Sequence, residues 1–334
     1  MTSEPSFLLS GDIGGTKTEL ALYSTQGTPH DPERKVRYAS QQYGALEEIL
    51  RDFLEGEQSR LARACFGVAG PVVRGQAHVT NLSWTLETAA LEARLGIPVT
   101  LINDMDAIGS MVAHIDARDC VTLHAGKPVE HGPRGVIAPG TGLGEGFLIW
   151  EEGRYSSHGT EGGHTDFGPR GALQIALLEY LQTRYRHVSY ERVCSGIGIP
   201  NLYAFLKDSG RHREPDWLRE ALEQVEDSTP VIVEAALNGK SKLCEATLDL
   251  FVAILGSEAG NLALKLLATG GVYLAGGIPR RILPRLRQPD FFEAFINKGR
   301  FAEILSRIPL HVVTHPDAGL IGAAWNAFEA QRSG

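Results

Sequence analysis

Residues 7–23 read FLLSGDIGGTKTELALY, and this stretch decides the fold. Its glycine-rich centre, GDIGGTKT, departs from the Walker A pattern G-x-x-x-x-G-K-[ST] only at Thr16, which stands where the last glycine belongs. Walker A and dinucleotide-binding loops both deliver phosphate to a helix that begins within the loop. Here Thr18 leads instead into ELALY, whose alternation and final aromatic residue indicate a strand. The stretch therefore predicts a β-hairpin.

A glycine hairpin can bind phosphate without a helix. Successive backbone N–H groups in a tight turn converge on an anion, and glycine allows the chain to approach closely. A bare carboxylate at Asp12 would repel that phosphate, unless a Mg²⁺ ion lies between them. An ordinary hairpin with an exposed aspartate is the alternative for this stretch alone.

Composition restricts the class of protein. The chain has 334 residues, a net charge of −8 and 43% hydrophobic residues, which is typical of a globular protein of about two domains. The acidic balance disfavours nucleic acid and anionic membranes as partners and favours a small or neutral substrate. Four scattered cysteines without a CxxC pair predict buried, reduced thiols rather than structural zinc. We expect neither a signal peptide nor a membrane span, and therefore expect a cytoplasmic protein.

Strand-like and helix-like segments alternate along the chain, which predicts an α/β protein with a more helical second half. The strand-like runs are FLLSGDI, ELALY, RACFGVAG, VTLIND, GVIAPG, GFLIW, VYLAGG and LHVVTH. The helix-like segments are ALEEILRDFLEGE, TLETAALEARLG, DAIGSMVAHI, GALQIALLEYLQTRY and LCEATLDLFVAILGSEAGNLALKLLAT. No low-complexity linker separates two halves, so we place the boundary just after His114.

Two further glycine loops follow the first. RGVIA-PGTGLGE-GFLIW (134–150) repeats the layout of residues 7–23, which suggests a second hairpin of matched size and a duplicated architecture whose turns face each other. VYLAGGIP (272–279) is an apolar strand that ends in Gly276 and Gly277. A bulky residue there would block a flat adenine or ribose, although a plain strand–helix turn explains the same glycines.

Polar residues suited to a neutral sugar occur at three places. The strand VTLIND ends in Asn103 and Asp104, where α/β proteins build active sites and where Asp104 could accept a hydroxyl proton. Either residue, or Asp106, could instead cap the following helix. Glu161 and His164 are separated by two glycines, which favours a polar loop over helical metal ligands. An exposed glycine loop is the alternative there, and Glu191 alone reads as a surface residue.

The three glycine loops, in this order and spacing, resemble the phosphate-1, phosphate-2 and adenosine motifs of the sugar kinase/actin/heat-shock chaperone ATPase superfamily. Within it, the chain resembles the hexokinase-type bacterial glucokinases over nearly its whole length. Further stretches carry this resemblance: FGVAGPV (66–72), TNLSW (80–84), LINDMDAIG (101–109), HGTEGGHTDFGP (158–169), ERVCSGIGIPNLY (191–203) and HPDAGLIGAA (315–324).

The resemblance implies a two-lobed, ribonuclease-H-like (actin-like ATPase) α/β fold with a cleft between the lobes. Residues 1–114 and 315–334 would form a small α/β lobe, and residues 115–314 a larger α+β lobe. We expect a terminal helix from about Pro316 to Arg332 to return to the first lobe. Closure of the lobes on a bound sugar would keep water from attacking ATP.

The resemblance also implies an activity: Mg²⁺- and ATP-dependent phosphorylation of D-glucose at its 6-hydroxyl, by a cytoplasmic homodimer. Asp104 would be the general base, and the sugar would be bound by Asn103, Asp104, Glu161, His164 and Glu191. Asp12 would lie near the metal. The nucleotide would be bound by Gly11, Asp12, Ile13, Gly14, Gly15, Thr16, Gly140, Thr141, Gly142, Gly276 and Gly277.

One departure narrows the resemblance. Related repressor/open-reading-frame/kinase proteins carry a cysteine-rich zinc motif after Glu-x-x-His, whereas here no cysteine follows His164 until Cys194. This favours a zinc-free branch, and because the first hairpin starts at Phe7 we expect no N-terminal DNA-binding motif. The alternatives are a kinase for mannose or N-acetylglucosamine, a non-catalytic sugar sensor, and an actin-like or chaperone-like ATPase.

Overall fold

The computed structural model describes residues 6–55 and 60–333. The described chain divides into two compact units. The first comprises the described residues of Met1–Asp116, Glu151–Gly159 and His315–Gly334, and the second comprises Ala117–Trp150 and Thr160–Thr314.

The described elements alternate between strands and helices. The strands are β1 (Phe7–Ile13), β2 (Lys17–Ser24), β3 (Arg34–Ala39), β4 (Leu61–Val68), β5 (Val72–Val73), β6 (Gln76–His78), β7 (Thr85–Glu87), β8 (Val99–Asn103), β9 (Cys120–His124), β10 (Arg134–Pro139), β11 (Leu143–Glu151), β12 (Arg154–Thr160), β13 (Gly271–Leu274) and β14 (Leu310–Val313). The helices are α1 (Leu46–Leu54), α2 (Thr88–Leu95), α3 (Asp104–Ala113), α4 (Gly171–Gln182), α5 (Gly198–Asp208), α6 (Asp216–Glu223), α7 (Thr229–Leu237), α8 (Lys242–Leu266), α9 (Gly277–Arg281), α10 (Leu283–Leu286), α11 (Pro289–Ile296), α12 (Ala302–Leu305) and α13 (Ala318–Ser333).

Both predicted glycine hairpins are confirmed, and the units share a strand arrangement. In the first unit β1 pairs antiparallel with β2 and parallel with β4, which pairs parallel with β8. In the second unit β10 pairs antiparallel with β11 and parallel with β13, which pairs parallel with β14. Each sheet therefore runs from a hairpin into two parallel neighbours, and this repeat explains the matched layout of residues 7–23 and 134–150.

The first sheet buries both of its faces. Leu9, Leu20 and Phe66 pack into a core that includes α1 and α2, whereas Leu8 and Tyr23 pack on the opposite side against α13. Successive residues of a strand point to opposite faces, so the consecutive leucines of FLL supply both cores. Helix α13 also packs against α3, which places α3 firmly at the end of β8.

The core of the second unit is built around α8. This 25-residue helix packs against α5, α7 and α11. Contrary to the sequence expectation, it is long and apolar enough to cross a membrane, the only such helix among the described residues. However, 78% of its apolar window is buried inside the protein. The packing of a core helix therefore accounts for its composition.

Two other sequence expectations need correction. The segment TLETAALEARLG (85–96) was expected to be helical throughout, but Thr85–Glu87 forms β7 and pairs antiparallel with β6, so the helix begins at Thr88. The prediction of buried, reduced thiols is confirmed for Cys65, Cys194 and Cys244, whereas Cys120 is only half-buried.

Candidate active site

The turn of the first hairpin is short and tightly packed. The amide of Gly14 donates to the Lys17 carbonyl at 2.9 Å, which closes the turn between β1 and β2. A Cβ atom at Gly15 would lie 2.4 Å from the Thr80 carbonyl oxygen, closer than side chains approach backbone. Glycine is therefore required at this position, and the turn presents backbone rather than side chains.

Asp12, near the end of β1, lies inside the first unit. A Cβ atom at Gly319, in the first turn of α13, would lie 3.2–3.3 Å from the Asp12 carboxyl group. Burial raises the pKa of Asp12, and the positive charge of Lys17 opposes that rise. Because the charged carboxylate is disfavoured there, a bound cation would stabilise it, and one carboxylate is a donor set that Mg²⁺ accepts alongside phosphate oxygens and water.

The turn at Gly196 and Ile197, which follows Glu191 in the chain, is hydrogen-bonded to the second hairpin. Its own turn is closed by the Gly140 amide, which donates to the Gly142 carbonyl at 2.9 Å. The amides of Gly196 and Ile197 donate to the carbonyls of Gly140 and Thr141 at 2.8 and 3.2 Å. These bonds fix the outer peptides of the hairpin, so its glycines are held in place before any ligand binds.

A cavity of about 460 Å³ is lined by residues of both the second and the third glycine loops. Its volume lies within the range of small-molecule sites. Gly276 has φ +85°, and a Cβ atom there would lie 2.8 Å from the Pro139 carbonyl oxygen, so glycine is needed for the close approach of the loops. The residues that line the cavity are Gly140, Thr141, Gly196, Asp227, Thr229, Pro230, Val233, Gly277, Ile278, Arg280 and Arg281.

Several of these cavity residues are not predicted from the sequence. Thr229 Oγ1 donates to the Gly196 carbonyl at 2.7 Å, and the Asp227 carboxylate accepts from the Thr229 amide at 2.9 Å. The sequence DSTP at 227–230 is a helix-start signal that could have placed α7. Nothing in it indicates that the start of α7 lies beside the second hairpin.

Asn103 caps helix α3, which is the structural role that the sequence allows for this residue as the alternative to a sugar ligand. Its Oδ1 accepts from the Met105 amide at 2.9 Å, and its Nδ2 donates to the Gly70 carbonyl at 2.9 Å. Asp104 is the first residue of α3, and its Oδ1 also lies 2.9 Å from the Met105 amide. These bonds fix the strand–helix junction and with it the position of the Asp104 carboxylate.

Asp106, which the sequence suggests only as a possible helix cap, instead bonds to a neighbouring strand. Its Oδ1 accepts from the Gly159 amide at 2.6 Å within the first unit. Burial raises its pKa, and the hydrogen bond from Gly159 opposes that rise. Asp106 therefore ties α3 to the end of β12 instead of capping its own helix.

Glu161, His164 and Glu191 lie together in the second unit. His164 Nε2 is 3.8 Å from Glu161 Oε2, and its Nδ1 is 3.9 Å from Glu191 Oε1. The side chains of Glu161 and His164 are 71% and 59% exposed, whereas that of Glu191 is 19% exposed. The two glycines form a short 3₁₀ turn, Gly162–His164, so the imidazole stands between two carboxylates at a surface open to a ligand.

Glu191 also contacts the second hairpin. Its Oε2 accepts from the Leu143 amide at 3.1 Å, and a Cβ atom at Gly142 would lie 2.4 Å from the same oxygen. Thus one carboxylate joins the candidate sugar residues to the candidate phosphate loop. Carboxylates and an imidazole are the groups that hydrogen-bond sugar hydroxyls, and a glycine turn is suited to phosphate.

Comparison with known proteins identifies the class. A family model described as Glucokinase matches residues 9–330. A glucokinase of Nostoc punctiforme is 42% identical over 96% of this chain and 98% of its own length. A crystal structure of a glucokinase from an Antarctic psychrotroph, 30% identical, covers 98% of this chain and 100% of its own, with a TM-score of 0.82.

A more distantly related solved structure has the same fold. A ROK family glucokinase from Streptomyces griseus, solved in complex with glucose and AMPPNP, is 20% identical and has a TM-score of 0.66 over 98% of this chain and 100% of its own. The fold and the paired glycine hairpins thus define a sugar kinase of the actin-like ATPase fold. The chain belongs to the glucokinase family, and the activity of this class is ATP-dependent transfer of a phosphoryl group to the 6-hydroxyl of glucose.

Proposed function

We propose that Asp104 is the general base of this glucose kinase and that Asn103, Glu161, His164 and Glu191 bind the sugar. The observation that carries this proposal is that the His164 imidazole lies within 4 Å of both the Glu161 and Glu191 carboxylates, beside the second hairpin. Three hydrogen-bonding groups at one open surface suit a ligand with several hydroxyls. A sugar that lacks a matching hydroxyl would leave one of these groups unpaired, which is the source of selectivity.

The nucleotide is assigned to the glycine loops. The second hairpin and Gly277 line one cavity, so a nucleotide whose adenosine occupies that cavity would meet the backbone of Gly140–Gly142 with its phosphates. In the first unit the turn at Gly15 and Thr16, closed by the Gly14–Lys17 hydrogen bond, would offer a second set of backbone N–H groups. Asp12 fits a Mg²⁺ ion, which would neutralise phosphate charge when bound.

Asp104 suits the base because of where the fold puts it. It begins α3 directly after the parallel strand β8, and the Asn103 cap fixes that junction. Phosphoryl transfer requires mainly alignment of the attacking and leaving oxygens, together with a group that accepts the hydroxyl proton. Asp104 would take that proton from the 6-hydroxyl as the oxygen attacks the γ-phosphorus.

The substrate proposal is tested by ADP release from ATP with and without sugar. We expect glucose to raise the rate of ADP release strongly, with mannose and N-acetylglucosamine giving much lower kcat/KM. A higher kcat/KM for N-acetylglucosamine or mannose would show that this sugar, rather than glucose, is the substrate. Sugar binding without any ADP release would indicate a sugar sensor on this fold.

The assembly and location proposed are a homodimer in the cytoplasm, on the strength of the family resemblance alone. Size-exclusion chromatography with light scattering tests the assembly. We expect twice the chain mass of 36.2 kDa. A mass of one chain across the working concentration range would contradict the dimer.

A further inference from the structure

Two carboxylates lie buried beneath the candidate sugar residues. Glu145 on β11 is 2% exposed and Glu258 on α8 is fully buried. Among the described residues, Oε1 of each has no hydrogen-bond partner. Two adjacent buried carboxylates that are both ionised would be strongly unfavourable, whereas one proton shared between them lets one carboxyl donate to the other.

The charges around the pair are consistent with a retained proton. Burial, followed by the neighbouring Glu258 carboxylate, raises the pKa of Glu145 to about 8. Lys265 opposes this rise from a solvent-exposed position, with its Nζ 3.6 Å from Glu258 Oε1. On other elements, Tyr190 and Cys194 face the same carboxylates, and burial raises the pKa of both groups, so they stay neutral.

Lys298 is a further charged group near the pair. Burial, with Arg170 next, lowers its pKa to about 8, while Glu258 opposes that shift. Its Nζ donates to Asn261 Oδ1 at 2.5 Å and to the Ser257 carbonyl at 2.8 Å. Lys298 therefore bonds to neighbours of Glu258 on α8, and its titration needs to be separated from that of Glu145.

Glu145 supports the turn that carries Glu161 and His164. A Cβ atom at Gly162 would lie 2.2 Å from Glu145 Oε2, so the carboxyl group packs directly under that glycine. The Thr160 hydroxyl donates to the Glu145 carbonyl at 3.2 Å and accepts from the Gly162 amide at 3.1 Å. Both the side chain and the backbone of Glu145 thus fix the start of the turn.

Glu258 supports the segment that carries Glu191. Its Oε2 accepts from Asn261 Nδ2 at 2.7 Å, and the same Nδ2 donates to the Tyr190 hydroxyl at 2.9 Å. The Tyr190 amide in turn donates to the Thr165 carbonyl at 3.0 Å. Tyr190 directly precedes Glu191, so the second carboxylate is linked to the second sugar-binding segment.

We propose that Glu145 and Glu258 share one proton and act as positioning residues that hold Glu161, His164 and Glu191 in their sugar-binding arrangement. This inference rests on the proposed assignment of those three residues to the sugar. When the proton is lost, two buried negative charges repel each other beneath the two segments. The repulsion displaces the Gly162 turn and the Tyr190–Glu191 segment, so sugar binding weakens as pH rises through the titration.

The test is the pH dependence of the KM for glucose in the wild type and in Glu145→Gln. If only the protonated pair binds sugar, the wild-type KM rises about tenfold from pH 7 to pH 9, since about a tenth of the molecules then remain competent. The KM for ATP changes much less. In Glu145→Gln the amide donates permanently to Glu258, so we expect a KM near the wild-type value at pH 7 and little further rise by pH 9.

Two controls make the result decisive. Glu258→Gln should also flatten the profile, and it answers the question if Glu145→Gln does not fold. Glu151→Gln, an exposed position at the end of the same strand, should keep the wild-type profile. A wild-type KM for glucose that does not change with pH would overturn the shared proton. The same rise of KM in Glu145→Gln and Glu258→Gln as in the wild type would also overturn it, and would point to the titration of Lys298.

The sugar assignment is checked separately by calorimetric titration of glucose into Glu161→Ala at pH 7. Binding weakened by tenfold or more supports the assignment. Unchanged binding in Glu161→Ala would refute the assignment whatever the pH profile shows. A weakened Glu161→Ala combined with an unchanged profile in the Gln variants would refute only the proton-sharing pair.

Discussion

Replacement of Asp104 by asparagine is expected to lower kcat by about 10²- to 10⁴-fold, the usual contribution of a positioned general base. The amide keeps the size of the side chain but cannot take the proton of the 6-hydroxyl. Glucose affinity should change much less, because the proposed binding groups at Glu161, His164 and Glu191 are intact. Steady-state kinetics and calorimetric titration of glucose measure the two effects independently.

Asp290→Asn is a suitable control for this substitution, since Asp290 is an exposed carboxylate in the first turn of α11. We expect its kinetics to match those of the wild type. A kcat for Asp104→Asn within about threefold of wild type, in a protein with a native circular dichroism spectrum, would show that another group accepts the proton.

Gly322→Ala is expected to destabilise the first unit by about 2–3 kcal/mol or more. Gly322 lies in α13, and a Cβ atom there would sit only 1.7 Å from the Ala107 carbonyl oxygen of α3. The same change at an unconstrained helix position is stabilising by about 1 kcal/mol, so the sign of the effect reports the close approach of the two helices. The free energy of unfolding from urea titration measures it.

Gln331→Ala in the same helix is the matched control, because Gln331 is exposed. We expect it to be neutral or slightly stabilising. Because α3 begins at Asp104, a displaced α13 should also reduce kcat in Gly322→Ala. A stabilised or unchanged Gly322→Ala would mean that the two helices are not packed as closely as described.

Local patterns predicted the hairpins because the relevant physics is local. The seven glycine-rich residues between two strand-like runs define a turn whatever surrounds them, and both hairpins form in the described structure. The same patterns did not predict β3 or β12. The residues of β3 (RKVRYA) alternate between half-buried and exposed, and those of β12 (RYSSHGT) are all exposed or half-buried. Pairing partners rather than hydrophobicity therefore stabilise these two strands.

The burial of Glu145 and the role of Asn103 depend on tertiary contacts, which the sequence does not reveal. Glu145 stands in GLGEGFLIW with nothing to indicate burial, and its partner Glu258 is 113 positions away in the chain. Their meeting depends on how α8 packs against the second sheet. Likewise, the sequence left Asn103 between a cap and a ligand; the structure shows the cap, and the sugar contact stays a prediction.

The most direct measurement of the central claim is a crystal structure of this protein with glucose and a non-hydrolysable ATP analogue. We predict that an Asp104 carboxylate oxygen lies about 2.6–3.2 Å from the 6-hydroxyl oxygen, within hydrogen-bonding reach, with that hydroxyl aimed at the γ-phosphorus. Glu161, His164 and Glu191 should contact the ring hydroxyls. An Asp104 carboxylate turned away from the 6-hydroxyl, with the sugar bound by other residues, would contradict the account.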